Sequence, residues 1–355
     1  MTHRWRSRKA ALIFAIALIP LVLAYSIFKP ACAERDKPCL QAALNSHKVR
    51  QASFWKTELS KPLLQRMAPA PEALVEFITL DNQRNGYPER PRSITLDAGF
   101  MQDAQAALAE IPSDIRRLFD DRLVGVFLLE QLGGSGYTDF VYSSKGERMG
   151  AFIVLDAGVL QKLNANGWAT WKESSPFQAA TGFSLNAHIE TPANDNRKNA
   201  IQYILLHELG HVISVQGNMH PPWDQKIMPV PIGIYPFFDL SWMVDPTVTR
   251  YTTRFESVFP QRRSVSYYFG AKPLGSGMVA TYSNLEMTNF PSLYASTLPA
   301  DDFAESFAIY VHVVRMGRPW RIAIARDGNV VKTFKSCWEE ERCAAKRAIL
   351  EQQLK

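Results

Sequence analysis

The pentapeptide His207-Glu208-Leu209-Gly210-His211 constrains this chain more than any other stretch. It lies within residues 199–216, where Ile201, Ile204, Leu205, Val212 and Ile213 recur at helical spacing and Gly217 offers a stop. On a helix, side chains four residues apart stand one turn above the other on the same face. His207 and His211 can therefore offer two neutral imidazoles to one metal ion, Zn2+ by ligand type, with Glu208 between them to take a proton from water. A chain built around such a helix must bring it a third ligand and leave one position open.

The sequence narrows the source of that ligand. An extended HExxHxxGxxH motif would need Gly at 214 and His at 217, where the chain has Ser214 and Gly217. His220 lies just past the helix and could ligate from a loop. Glu305 is the better candidate, in the second turn of a predicted helix over 301–316 whose acidic residues cluster at its start, where the helix dipole favours carboxylates. The same glutamate also fits a capping box with Asp302 at the N-cap. His188, on a predicted strand over 183–190, reads as an ordinary strand histidine.

Around these motifs the pattern is α+β. Residues 29–121 read as a helical region broken by Pro62 and by the turn-rich stretch 85–91, and residues 122–355 as the domain that carries the site. Strand-like runs cover 123–129, 138–142 and 151–155. The cluster Gly133-Gly-Ser-Gly136 lacks the following helix and the Lys-Ser/Thr of a phosphate cradle, so it reads as a hairpin turn, like Lys145-Gly146. The strand over 183–190 could take up an extended peptide at its edge. The proline-rich, apolar stretch 220–240 suits the wall of a binding cleft. A hairpin over 322–334 turns at Asp327-Gly328, and a charged terminal helix follows.

Charge and cysteine content bear on location. Of the net +6, four charges sit at Arg4, Arg6, Arg8 and Lys9, leaving +2 for the rest, which is no nucleic-acid footprint. The basic start runs into the apolar segment 10–28, so residues 1–28 have the build of a signal peptide or, if uncleaved, an N-terminal membrane anchor. Either puts the remainder in the periplasm or another extracytoplasmic space, tied to the inner membrane in the second case. Four cysteines suit an oxidising compartment: Cys32 and Cys39 are close in sequence, as are Cys337 and Cys343, and within-pair bridges are the simplest of three connectivities.

HELGH with a later helix reading Asp-Asp-Phe-Ala-Glu-Ser-Phe-Ala resembles the gluzincin class of zincin metallopeptidases, in the style of the catalytic domain of anthrax lethal factor and its bacterial relatives. The match covers two short stretches. The resemblance implies a zincin-like fold, zinc-dependent hydrolysis of a peptide or protein substrate, His207, His211 and Glu305 as ligands, and Glu208 as base. It also implies an oxyanion donor upstream of the glutamate, with Tyr294 the first choice and Tyr282 and His312 alternatives. One departure stands out: thermolysin-type members carry Asp four residues after the ligand glutamate, where this chain has Ile309, so the partner of a ligand histidine must come from elsewhere, Asp301 being a candidate. A non-catalytic zinc-binding or interaction module on the same fold is the alternative, against which the intact Glu208 argues.

Overall fold

The computed structural model describes residues 32–33, 36–268, 270 and 272–355. The segment 1–28 lies outside them; among the described residues no helix is long and apolar enough to cross a membrane. The architecture is α+β, with a four-stranded sheet, a three-stranded sheet and a two-stranded ribbon.

The four-stranded sheet runs in the order β1 (Met67–Pro69), β2 (Leu123–Leu129), β4 (Arg148–Asp156), β3 (Gly136–Tyr142). The first three are parallel and β3 lies antiparallel at the edge. Buried on both faces, β2 and β4 are near-continuous apolar runs rather than alternating ones. Along β4, Phe152 and Val154 face one core with Trp55, Leu74 and Phe77, while Ile153 and Leu155 face the other with Phe100, Leu108 and Leu205. Helices α1 (Lys37–Ser46) and α2 (Glu72–Asn85) cover the first face. Helices α3 (Ala98–Ala109) and α5 (Arg197–Gly217), the HELGH helix, cover the second, with α4 (Ala165–Ser174) packed beside α5. The segment before residue 122 thus supplies an edge strand and shares both cores.

One sequence expectation is corrected here and another is narrowed. The Gly133–Gly136 cluster is not a hairpin turn, because β2 and β3 are not neighbours: β4 lies between them, and the hairpin is β3–β4, turning through residues 143–147. The strand over 183–190 is real over Phe183–His188 (β5), but it pairs with the hairpin β8 (Arg321–Arg326) and β9 (Asn329–Lys335) in the second sheet. Its other side is met towards the C-terminal end: Thr170 on α4 bonds Ala187, and Asn166 accepts from the amides of Ile189 and Glu190. Beside the site, β3 is an edge strand of the main sheet, which Gln51 meets only at Tyr142.

After α5 come short elements, including the ribbon β6 (Trp242–Asp245) and β7 (Arg250–Thr253). Helix α6 (Pro299–Tyr310) then crosses α5 and continues as a π turn, Val311–Arg315. It opens with Pro299 in its first turn and Leu298 at the N-cap, so Asp301 and Asp302 are inside the helix and no capping box forms. The terminal helix α7 (Glu341–Gln353) follows the Cys337–Cys343 disulfide, and Cys32 is joined to Cys39, the within-pair connectivity.

Candidate metal centre

The crossing of α5 and α6 sets the geometry. A Cβ at Gly210 would lie 2.7 Å from the Ala304 Cα and 3.0 Å from its carbonyl oxygen, so the backbones touch there and only glycine fits. His207 and His211 flank Gly210 on one helix, and Asp301 and Glu305 flank Ala304 on the other. Two pairs with i, i+4 spacing are thereby laid face to face.

His207 and His211 bring their Nε2 atoms to 3.2 Å with the rings 83° apart. That matches the edge of a tetrahedron with metal–nitrogen bonds of about 2.0–2.1 Å, which is ~3.3 Å. Asp301 Oδ1 stands 3.7 Å from His211 Nε2, and one ligand atom from each of His207, His211 and Asp301 falls within 4.8 Å of the others. Among the described residues no other group of three converges in this way. Thr297 donates to the remaining Asp301 oxygen at 3.1 Å. Burial pushes the Asp301 carboxyl up to about 6, against the pull of His207.

Glu305 occupies a different place. Its Oε1 lies 3.0 Å from His207 Nδ1, a bent contact on the side of the ring away from Nε2. The same oxygen accepts from Lys172 Nζ at 2.8 Å, and Oε2 accepts from Ser292 at 2.7 Å. Burial would raise the Glu305 carboxyl, but the ammonium of Lys172 and the His207 ring hold it well below the usual carboxylate range. Both carboxylate oxygens are engaged inside the protein, and none faces the two Nε2 atoms together.

Glu208 points to the sheet. Thr138 on β3 donates to Oε2 at 2.7 Å, and a Cβ at Gly136 would come within 2.3 Å of Oε1. The glycine cluster is therefore the wall against which this carboxylate rests. Burial raises the Glu208 carboxyl, opposed by His207 and by the Thr138 hydrogen bond. Gly134 and Gly136 with His207, Glu208, Tyr268, Tyr294, Lys172 and Glu305 line a cavity of about 50 Å³.

The three oxyanion candidates separate. Tyr294 lines the cavity, its ring 5.5 Å from that of His207, with no hydrogen-bond partner for its hydroxyl among the described residues. Burial holds its hydroxyl well above the usual range, reinforced by the nearby Asp301. Tyr282 donates instead to Glu173 at 3.2 Å, and His312 Nε2 lies 2.7 Å from the Ile189 carbonyl; both serve the interior. His220 is also turned away, its Nδ1 2.8 Å from the Pro221 carbonyl oxygen, and it belongs to no convergent group. His188 lies within β5, paired with Arg321 of β8. Trp223, from the apolar loop after α5, packs against His211 with ring centroids 5.3 Å apart.

Sequence reading missed Lys172, Ser292, Thr138 and Tyr268. Only Tyr268 carried a signal, in the aromatic stretch 267–269. No protein-family model matches the chain, and comparison with curated proteins and with solved structures returns no match.

Proposed function

We propose that this chain is a zinc-dependent metalloendopeptidase with a zincin-like catalytic unit, working outside the cytoplasm on peptide or protein substrates. The observation that carries the reading is the convergence of His207, His211 and Asp301, with the buried Glu208 next to His207 on the wall of a cavity that His207 also lines. The ligand set is revised accordingly. Asp301 takes the place that the family resemblance gave to Glu305, and Glu305 becomes the carboxylate that orients His207. Two imidazoles and one carboxylate form an open three-ligand set of the kind catalytic zinc uses, and none of these residues closes a fourth position.

Zinc held there would supply Lewis acidity toward a scissile carbonyl and make water acidic near neutral pH. The chain's own residues do the rest. Glu208 accepts the proton of the attacking water and passes it to the leaving amine; its raised affinity for protons suits both halves of that transfer. Thr138 and Gly136 hold its carboxylate in one place. Tyr294 offers a free hydroxyl to the developing oxyanion. A peptide extended along the free edge of β3 would pass Gly136 and lie over Glu208. The two disulfides favour an oxidising compartment.

The test is metal analysis joined to peptide-library cleavage. Wild type should hold one zinc and cut, whereas Glu208→Gln should keep the zinc and lose hydrolysis by about 10²–10⁴-fold. Wild-type protein that takes up no stoichiometric zinc would end the enzyme reading. Zinc uptake without cleavage of any peptide would favour the non-catalytic module.

A further inference from the structure

A chain of buried polar groups starts at the cavity wall, where Lys172 and Glu305 stand beside His207, and runs into the interior. Lys172, on α4, is 4% exposed as a residue, and its Nζ sits 2.8 Å from Glu305 Oε1 and 3.3 Å from Glu173 Oε1. Its ammonium also lies 4.5 Å from the centre of the Tyr294 ring, within cation–π range. Beyond it, Glu173 Oε2 accepts from Tyr267 at 2.9 Å and from Tyr282 at 3.2 Å. One cation therefore stands between two buried carboxylates and against the tyrosine that flanks the site.

We infer that Lys172 is a positioning residue for the metal centre, acting through Glu305 on His207; this rests on the metallopeptidase reading. The argument is geometric. Lys172 grips the oxygen of Glu305 that faces His207 Nδ1, and Ser292 fixes the other, so the carboxylate cannot turn away. A carboxylate fixed at Nδ1 keeps the ring proton on that nitrogen and leaves the Nε2 lone pair free toward Asp301 and His211. Without Lys172, Glu305 and Glu173 would be two buried carboxylates without their cation. Glu305 Oε1 would then lose the contact that fixes it, and the His207 ring would be free to rotate. Tyr294 would lose the cation against its ring in the same change.

An ion pair that served packing alone would behave differently, since an apolar side chain of similar volume often replaces such a pair without loss. The experiment is a zinc-affinity cycle on the full chain, read by competition with a chromophoric chelator. Its members are wild type, Lys172→Met, Lys172→Gln, Lys172→Arg, Glu305→Gln and the double variant Lys172→Met/Glu305→Gln. Lys172→Met should weaken zinc about 10–100-fold, the range for loss of a group that orients a ligand histidine. Lys172→Gln, a second neutral variant in case the first folds poorly, should weaken it similarly, and Lys172→Arg should recover most of the loss. The double variant should bind no more weakly than the weaker single variant, because both changes break one chain of contacts. Neutral variants that bind zinc as tightly as a zinc-binding wild type, or losses that add in the double variant, would overturn the role of Lys172 alone. A wild type that binds no zinc would overturn the metallopeptidase reading and this role with it.

Discussion

Helix α6 buries two carboxylates against two lysines, and the pairs differ in what stands behind them. Glu305 meets Lys172 on one side and His207 on the other. Asp302, three residues earlier, meets Lys346 of α7, accepts from Trp242 Nε1 at 3.0 Å, and has no histidine behind it. Lys346 is wedged between the rings of Phe237 and Phe290, 5.1 and 4.8 Å from their centres. The electrostatics diverge as well. Burial opposes both charges of the Glu305 pair, yet Glu305 is pulled down by Lys172, and Lys172 is pushed up by Glu305 and Glu173. In the Asp302 pair burial wins, raising the carboxyl and lowering the amine. A buried ion pair by itself is weak evidence for stability or function. The third group decides: the Asp302 pair locks α7 onto the core, while the Glu305 pair abuts His207.

That contrast breaks if the structural pair controls metal. Asp302→Ala leaves the Lys346 ammonium buried without a partner and should cost about 3–5 kcal/mol in urea unfolding. The folded fraction should bind zinc as wild type does, and a parallel fall in zinc affinity would erase the distinction between the two arms.

Comparing the arms needs a pH at which neither is masked by other groups, and His312 sets one limit. It is buried and neutral, burial holding its imidazole down to about 4 despite its contact with the Ile189 carbonyl. The unfolded chain binds this proton near the ordinary value of about 6.5, where the folded chain does not. Stability contributed here is complete above pH ~6.5 and is lost as pH falls toward 4, by roughly 3 kcal/mol at most. His312→Gln should flatten that part of the stability–pH curve; an unchanged slope would assign it to other groups.

The smallest change sharpens the functional side alone. Gly136→Ala puts a methyl group where Glu208 Oε1 now rests. Displacing that carboxylate by about an ångström should lower kcat by up to a hundredfold with zinc content intact. A variant as active as wild type would mean that the glycine wall does not position the base.

Much of this was legible in the sequence. The HELGH helix, the acid-led helix beyond 299, the β8–β9 hairpin and strands β2, β3 and β4 follow from period and turn residues, whereas β1 lies in a stretch that reads as helical. The hairpin turn sits where Asp327 and Gly328 both take positive φ, at 49° and 80°. The order of strands was not legible, since β4 inserts between β2 and β3 through pairing that no local signal encodes, and the glycine cluster was misread for that reason. Asp301 and Glu305 share a helix face one turn apart, so spacing could not say which converges with His207 and His211. That depends on where Gly210 meets Ala304. Lys172 and Ser292 became visible only once burial placed them against Glu305.

The most direct test of the account is zinc content after dialysis for wild type, Asp301→Ala and Glu305→Gln, measured by elemental analysis of the purified proteins. With Asp301 as ligand and Glu305 as its neighbour's support, Asp301→Ala should lose zinc, while Glu305→Gln should refill to one equivalent at higher zinc concentration. Stoichiometric zinc in Asp301→Ala together with none in Glu305→Gln at any concentration would contradict it.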